Sequence, residues 1–257
     1  MKRRFAALIW LALPAVALAA PDIQSPQDLY VAGKYQQAIE AGVAQNTADG
    51  FVLAARAELA QELTRPEPCL ECLKRAEKFA RRAIAADPKI PEGHTYLAIT
   101  LGYEARIVGI VNARLNGYAE EAKRELDSAL AIDPGNPWAR AALAGWNIEI
   151  VRNGGATLAN LMYGATLNAG LGDFAAAFKV QPNNPVLRFQ YALTMSRFDL
   201  DTYRNEIEDS LKRAASGKAL TANDALTRSR ACVLLSLLQK GDMDTYLALV
   251  RHYQGYP

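Results

Sequence analysis

The sequence contains few of the residues that commonly carry out enzymatic chemistry, with two histidines and three cysteines among 257 residues. His94 and His252 have no acid or nucleophile motif beside them, and the pair Glu120-Glu121 opens a predicted helix without a second carboxylate at a defined distance. A glycine-rich phosphate loop is missing from the sequence as well. These absences predict a non-enzymatic protein without catalytic residues, a metal site or a cofactor.

A long apolar run occurs only near the N-terminus, from Phe5 to Ala20, directly after three basic residues. A basic start, a short apolar stretch and small residues at alternate positions are typical of a secretory signal peptide. Cleavage is predicted between Ala19 and Ala20. The sequence therefore predicts a signal peptide over residues 1–19 and one mature domain over residues 20–257, located in the bacterial periplasm or secreted.

The sequence also lacks an excess of charge of either sign. The formal net charge of the full chain is +2, and removal of three basic residues with the signal peptide would leave a mature chain with a net charge of about −1. A near-neutral chain offers no electrostatic basis for binding nucleic acid or an anionic membrane surface. No later segment is long and apolar enough to span a bilayer. We therefore expect no nucleic-acid partner and no stable membrane insertion after signal cleavage.

One spacing of alanine and proline recurs three times along the chain. An alanine is followed five residues later by a proline, then by a second proline, then by another alanine. The copies, 46 and 48 residues apart, are Ala83/Pro88/Pro91/Ala98, Ala129/Pro134/Pro137/Ala144 and Ala177/Pro182/Pro185/Ala192. Proline disfavours helix in the preceding residue but fits the first turn of a helix, so each copy predicts a helix end and a helix start. This period predicts a repeat protein.

The segments between these turns predict antiparallel helix pairs, because apolar residues recur at steps of three and four and no long stretch alternates with period two. We expect an all-α solenoid with lengthened repeats. The predicted units span residues 27–46, 51–87, 91–133, 137–181 and 185–216. Two further helices, in ALTRSRACVLLSLLQK and DMDTYLALVRHY, would cap the open end. Cys232 lies in the first of these, where its apolar neighbours predict a core position.

Three segments resemble tetratricopeptide repeats: AGKYQQAIE, AEKFARRAIAADP and AEEAKRELDSALAIDP. In that family a glycine and an aromatic residue mark the turn within a repeat, two alanines seven residues apart pack the second helix, and a proline closes it. The matching positions are Gly33, Tyr35 and Ala38, then Ala76/Ala83/Pro88 and Ala122/Ala129/Pro134. The usual period of this family is about 34 residues. The longer period here predicts lengthened first helices or lengthened loops.

A narrower resemblance covers residues 139–185. The segments ALAGWNIEIV and LMYGATLNAGLGDFAAAFKVQPNNP are similar to part of the regulator-of-microtubule-dynamics family, whose members are also tetratricopeptide-like. The matching positions are Gly145, Trp146, Glu149, Tyr163, Gly164, Phe174, Ala177 and Pro182. The resemblance implies the fold alone, because an exported protein with a bacterial-type signal has no microtubules to regulate.

Two cysteines stand one helical turn apart in RPEPCLECLK, where two prolines suggest a helix start and a thiol ionises easily. Haem attachment would need a histidine in place of Leu73, and a zinc site would need two more ligands, which lie only in separate segments. A local Cys69–Cys72 disulfide is the simplest interpretation for an exported protein. Two free thiols or a thiol-exchange site remain as alternatives.

A recurrence of asparagine and arginine across two inter-repeat turns provides candidate binding residues. Side chains four apart on successive first helices would face the concave surface of a tetratricopeptide array, where arginine can bind peptide backbone or a carboxylate. The alternative is that each asparagine caps its helix and each arginine is solvated. The candidate partner-binding residues are Asn136, Arg140, Asn147, Asn184, Arg188 and Tyr191.

These observations predict an exported, non-enzymatic scaffold that binds a protein or peptide partner through its concave helical surface. A second interpretation is a ligand-binding accessory protein of envelope transport or assembly. Its cavity would lie between the long helices, around Gly102, Gly109, Gly145 and Gly164. A third interpretation is a thiol redox protein that uses Cys69 and Cys72.

Overall fold

Thirteen α-helices and no strand form the regular structure of residues 24–257, which are the residues that this computed structural model describes. The predicted signal peptide and its cleavage position lie outside the described residues. No helix within residues 24–257 combines the length and the apolarity that crossing a membrane requires. The helices are α1 (Pro26–Val31), α2 (Tyr35–Gln45), α3 (Ala48–Glu62), α4 (Leu70–Ala86), α5 (Pro91–Leu115), α6 (Tyr118–Ile132), α7 (Pro137–Gly154), α8 (Ala156–Tyr163), α9 (Leu167–Val180), α10 (Pro185–Asp199), α11 (Arg204–Ser216), α12 (Ala222–Lys240) and α13 (Met243–Tyr253).

The proline pairs set the boundaries between repeats. α4, α6 and α9 each end two residues before the first proline of a pair, and α5, α7 and α10 each begin at the second proline. Neighbouring helices pack as pairs, including α3 with α4, α5 with α6, α7 with α9 and α10 with α11. The recurring Ala83, Ala129 and Ala177 are completely buried between them. The predicted all-α solenoid of helix pairs is therefore confirmed.

The repeats are long for two different reasons. α5 has 25 residues, and Gly109 interrupts it with a φ of 81°, a conformation that favours glycine. The next unit instead contains the additional short helix α8 between α7 and α9. The loop predicted over YGATLNAG is shorter than expected, because α8 extends to Tyr163 and α9 already begins at Leu167.

The last two helices cap the array and also return to its beginning. α12 and α13 pack against α10, as the sequence predicts for a cap. The start of α12 also meets the turn after α1, where a Cβ on Gly33 would lie 2.8 Å from the Cβ of Ala222. The Arg230 guanidinium donates a hydrogen bond to the carbonyl oxygen of Leu63 at the end of α3. The C-terminal helices therefore connect the last repeat to the first.

Cys232 lies on the outer face of α12. The buried side chains of this helix are Thr227, Ala231, Leu234 and Leu238, which follow one stripe at steps of four and three. Cys232 is one residue beyond Ala231, so its side chain points about 100° away from that stripe. The side chain is exposed. The prediction of a core position for Cys232 was therefore wrong.

Candidate ligand-binding chamber

A chamber of about 760 Å³ lies among the first helices of the repeats. Its walls come from the first helices α3, α5, α7 and α10 and also from α6, α8 and Phe174 of α9. Tyr30 of α1, the start of α12 and Tyr256 near the C-terminus complete them. The contribution of the first helices is the one that the resemblance to tetratricopeptide arrays implied, whereas the contribution of α6, α8 and α9 was not. The volume falls within the range of small-molecule sites, roughly 300–1,000 Å³.

Aromatic side chains line much of the chamber. The rings of Trp146 and Tyr163 meet edge to face, with 6.2 Å between their centroids. The indole nitrogen of Trp146 also donates a hydrogen bond to the carbonyl oxygen of Ala119 at 2.9 Å, so its polar atom is satisfied by the protein. The aromatic residues of the wall are Tyr30, Tyr96, Tyr103, Tyr118, Trp138, Trp146, Tyr163, Phe174 and Tyr256. Such a wall suits an apolar ligand.

Two glycines within helices leave open space along the wall of the chamber. Gly102 in α5 and Gly145 in α7 both line it, and a Cβ added at either position would have no atom within 4 Å. Glycine inside a helix costs about 1 kcal/mol relative to alanine, and the packing of the protein does not require it at these positions. Gly109 also lines the chamber. Gly164, the fourth glycine around which the sequence predicts a cavity, does not, although its neighbour Tyr163 does.

A cluster of charged groups holds one wall of the chamber together. Arg106 of α5 donates to Glu149 Oε2 of α7 at 2.8 Å, and its Nη1 donates to the carbonyl oxygen of Gln254 at 3.1 Å. The Tyr256 hydroxyl donates to the other oxygen of Glu149. Burial alone would raise the pKa of Glu149, but the charge and hydrogen bonds of Arg106, with Tyr256 and Arg152, lower it to about 2. Glu149 is thus an anion held by its neighbours, not a proton donor.

The charges of the chamber do not balance. Four arginines line it, at positions 56, 106, 114 and 152, against the carboxylates Glu149 and Asp224. Asp224 accepts hydrogen bonds from the backbone amides of Leu220 and Thr221 at the start of α12. Arg106 and Arg152 pair with Glu149, whereas Arg56 and Arg114 have no carboxylate within 4.0 Å among residues 24–257. Arg56 lies 4.2 Å from the centroid of the Tyr30 ring, and Asp224 attracts it over a longer distance. The chamber therefore carries an excess of positive charge, and Arg56 is one of two of its arginines without an ion pair.

The sequence model of the family described as Regulator of microtubule dynamics protein 1-3 matches residues 45–239. The chain belongs to this family. The match runs from the end of α2 to the end of α12, so the resemblance expected over residues 139–185 is confirmed and extends far beyond them. The chamber of this family member draws most of its wall from the matched region, and Tyr30 and Tyr256 from outside it. No curated protein matches the chain.

In this member of the regulator-of-microtubule-dynamics family, the repeated asparagines cap helices. The Asn136 side chain accepts from the amides of Trp138 and Ala139, at 3.1 and 3.0 Å. Asn184 makes the same two bonds at the start of α10, at 3.0 and 3.1 Å. Of the six candidate partner-binding residues, Asn184 alone lines the chamber. The capping alternative thus accounts for the recurrence of asparagine.

The repeated arginines close the preceding turns. Arg140 Nε donates to the carbonyl oxygen of Pro134 at 3.3 Å, and its Nη1 pairs with Asp173 at 2.7 Å. Arg188 Nε donates in the same way to Pro182 at 2.7 Å, and its guanidinium lies 3.7 Å from the centroid of the Phe178 ring. These arginines are bonded to the protein itself, which explains why they recur with the asparagines. A role in partner binding stays a prediction.

The remaining candidates lie inside the protein. Asn147 is buried, donates to the carbonyl oxygen of Leu143 at 3.1 Å and accepts from the amide of Thr166 at 3.3 Å. Tyr191 is also buried, and its ring packs edge to face against Phe174 at 5.2 Å between centroids. Cys69 and Cys72 are joined as a disulfide at the start of α4, outside the chamber.

Sequence reasoning missed Arg56, one of the four arginines that line the chamber. Arg56 lies on α3 in the segment FVLAARAELA, which contains no proline or asparagine signal and does not share the repeated spacing. The one sequence feature that could have pointed to Arg56 was its position on the first helix of a predicted pair. Trp146, Tyr163 and Glu149 were singled out through the family resemblance, and all three line the chamber.

Proposed function

We propose that this chain is an exported, non-enzymatic helical scaffold whose chamber binds an amphipathic organic anion. The observation that supports this most strongly is the combination of an aromatic wall, two helix glycines facing open space and Arg56, which has no ion pair. Membership of the regulator-of-microtubule-dynamics family supports a helical scaffold and carries no ligand with it. The export of the chain rests on the signal-peptide pattern of residues 1–19.

The apolar body of such a ligand would contact Trp146, Tyr163 and the surface around Gly102 and Gly145. Burial of apolar area contributes about 25 cal/mol per Å², so a ligand that fills this wall needs few polar contacts. Its acidic group would bind Arg56, because a guanidinium without a carboxylate partner can donate two parallel hydrogen bonds to an anion. The pair Arg106–Glu149 is already neutral and would remain part of the wall.

A fluorescence titration with anilinonaphthalene sulfonate, an apolar anion, tests the chamber. We expect saturable binding of one probe per chain. Replacing Gly145 by leucine would place a side chain in the open space and reduce the affinity at least tenfold. Gly172→Leu is the matched control, because Gly172 is an exposed glycine of α9 with no atom near its Cβ and does not line the chamber. Equal binding by both variants and the wild type would place the probe elsewhere.

A second titration tests the role of Arg56. The Arg56→Gln variant should bind the anionic probe about tenfold more weakly, because a hydrogen bond to a charged group contributes roughly 1.5–3 kcal/mol. Phenylnaphthylamine, which has the same rings without the sulfonate, should bind the variant and the wild type equally. A parallel loss for both probes would mean that Arg56 supports the shape of the chamber and does not recognise the anion.

Binding of a protein or peptide partner is the second candidate function, favoured by exposed apolar side chains near the chamber. Leu115 at the end of α5 is 80% exposed and Leu161 of α8 is 82% exposed. Ile110, Leu158 and Met162 belong to the same two segments and also line the chamber. Capture from a periplasmic extract by the wild type, but not by a Leu115→Ser/Leu161→Ser variant, would support this function. Equal capture by both would contradict a role for this surface.

Export has its own test. Expression of the complete sequence in a bacterium should yield a periplasmic protein whose intact mass corresponds to a chain beginning at Ala20. A mass that includes residues 1–19 would refute the predicted signal peptide.

A further inference from the structure

The disulfide at the start of α4 joins a partly exposed cysteine to a buried one. Cys69 is the N-cap residue of α4 and is partly exposed, whereas Cys72 lies in the first turn and is 2% exposed. The backbone amide of Cys72 points to Cys69 Sγ at 3.2 Å. A thiolate at this position would be stabilised by the amide and by the positive end of the helix dipole. An external thiol can therefore reach Cys69, while Cys72 is shielded.

A buried carboxyl group lies beside both sulfurs. Glu62, the last residue of α3, is 9% exposed, and one of its carboxylate oxygens lies within 4.8 Å of Cys69 Sγ and of Cys72 Sγ. Oε1 accepts a hydrogen bond from the Cys69 amide at 2.6 Å. Oε2 is buried and accepts none, although Arg65 Nε lies 3.3 Å away. Oε1 alone accepts the hydrogen bond from the Cys69 amide, so the start of α4 at Cys69 does not require Oε2.

The surroundings of Glu62 shift the titration of its carboxyl to higher pH. Burial raises the pKa of the carboxyl above its usual value of 4.5, against the opposing effects of the Cys69 amide and Arg65. A cavity of about 20 Å³ adjoins Glu62, which is large enough for one water molecule. The charged or titratable groups that face Glu62 or line this cavity are Glu58 of α3, Arg65, Arg75 of α4, Tyr103 of α5, Arg230 of α12, and His252 and Tyr253 of α13.

We propose that the Cys69–Cys72 disulfide oxidises a substrate with two neighbouring thiols, and that Glu62 supplies the proton to Cys72. A substrate thiolate attacks Cys69 Sγ, forms a mixed disulfide and displaces Cys72 Sγ, which takes a proton from Glu62 directly or through one water. The second substrate thiol loses its proton to the Glu62 carboxylate and attacks the substrate sulfur of the mixed disulfide. Cys69 leaves as a thiolate and takes up a proton from solvent. The substrate leaves as a disulfide and the protein as a dithiol.

The test measures reduction of the mature chain by dithiothreitol, a small dithiol, between pH 5 and pH 8. All variants carry Cys232→Ser, so that the exposed third thiol does not react. We expect the wild-type disulfide to react at least tenfold faster than oxidised glutathione at pH 6. Glu62→Gln keeps the acceptor for the Cys69 amide but has no proton to give, so it should react about tenfold more slowly at pH 6. The difference should shrink as the pH rises through the raised pKa of Glu62, because the wild-type carboxyl then also lacks its proton.

Glu67→Gln is the matched control, because Glu67 is an exposed carboxylate of the same loop, two residues before Cys69. This control should follow the wild type at every pH. Equal rates for the wild type, Glu62→Gln and Glu67→Gln, or a wild-type rate no higher than that of glutathione, would show a purely structural disulfide and overturn the proposal.

Alkylation of the reduced wild type by iodoacetamide provides a second measurement if Glu62→Gln does not fold. Cys69 should be modified at least tenfold faster than Cys72, because an exchange reaction needs one accessible nucleophile. Equal modification of the two thiols would overturn the proposal. Neither measurement depends on the chamber, so the proposed ligand-binding function can fail while this activity stands.

Discussion

Replacing Glu149 by glutamine removes the charge on which the wall between α5, α7 and the C-terminus depends. Glu149 accepts from Arg106 at 2.8 Å and from the Tyr256 hydroxyl, while Arg152 lies 3.6 Å away. Glutamine keeps the size of the side chain and one acceptor oxygen. The substitution therefore leaves Arg106, whose side chain is only 17% exposed, without its counter-ion.

The lowered pKa of Glu149 gives the size of the expected loss in unfolding free energy. A carboxyl whose pKa falls from 4.5 to about 2 on folding stabilises the folded state by about 3 kcal/mol above pH 4.5. This value agrees with the roughly 3–5 kcal/mol that breaking a buried ion pair costs. Because the folded pKa is the lower one, the contribution is complete above pH 4.5 and is lost as the pH falls through 2. At pH 3 about 1 kcal/mol should remain.

Urea denaturation followed by circular dichroism checks this prediction at pH 7 and at pH 3. Glu149→Gln should lose about 3 kcal/mol of unfolding free energy at pH 7 and about 1 kcal/mol at pH 3. Glu40→Gln is the control, since Glu40 is exposed on α2 and should change stability by less than about 0.5 kcal/mol. A loss at Glu149 below about 1 kcal/mol, or one that is equal at both pH values, would refute the assigned ion pair.

Four further substitutions test the repeat architecture, each by urea denaturation. Ala83→Leu and Ala129→Leu should each destabilise the protein by about 1–3 kcal/mol because both alanines are completely buried; unchanged midpoints would mean that these contacts can expand. Gly145→Ala should stabilise the protein by about 0.5–1 kcal/mol, since the helix gains a better residue that faces open space, and a loss of stability would contradict that geometry. Asn136→Ala should cost about 1 kcal/mol through the lost helix cap, and no change would show that the cap is not needed.

The repeat framework was predictable because its signals are local. A proline excludes helix just before it and permits helix just after it, so Pro88/Pro91 and the two equivalent pairs fix helix boundaries without any distant contact. The burial of the repeated alanines was predictable for the same reason, because their spacing places them on one face of a helix. The predicted cavity between the long helices also required no more than the positions of helix glycines such as Gly102 and Gly145.

Long-range packing decided the rest, because contacts between distant parts of the chain leave no local period in the sequence. Arg106 and Gln254 are 148 residues apart, yet their hydrogen bond holds the C-terminus against the chamber. The position of Glu62 beside the Cys69–Cys72 disulfide is a shorter-range case, which depends on how the irregular loop between α3 and α4 folds back. The sequence by itself determined the helices and their pairing; only the tertiary structure decided that the array closes on itself, since that requires the last helices to meet the first.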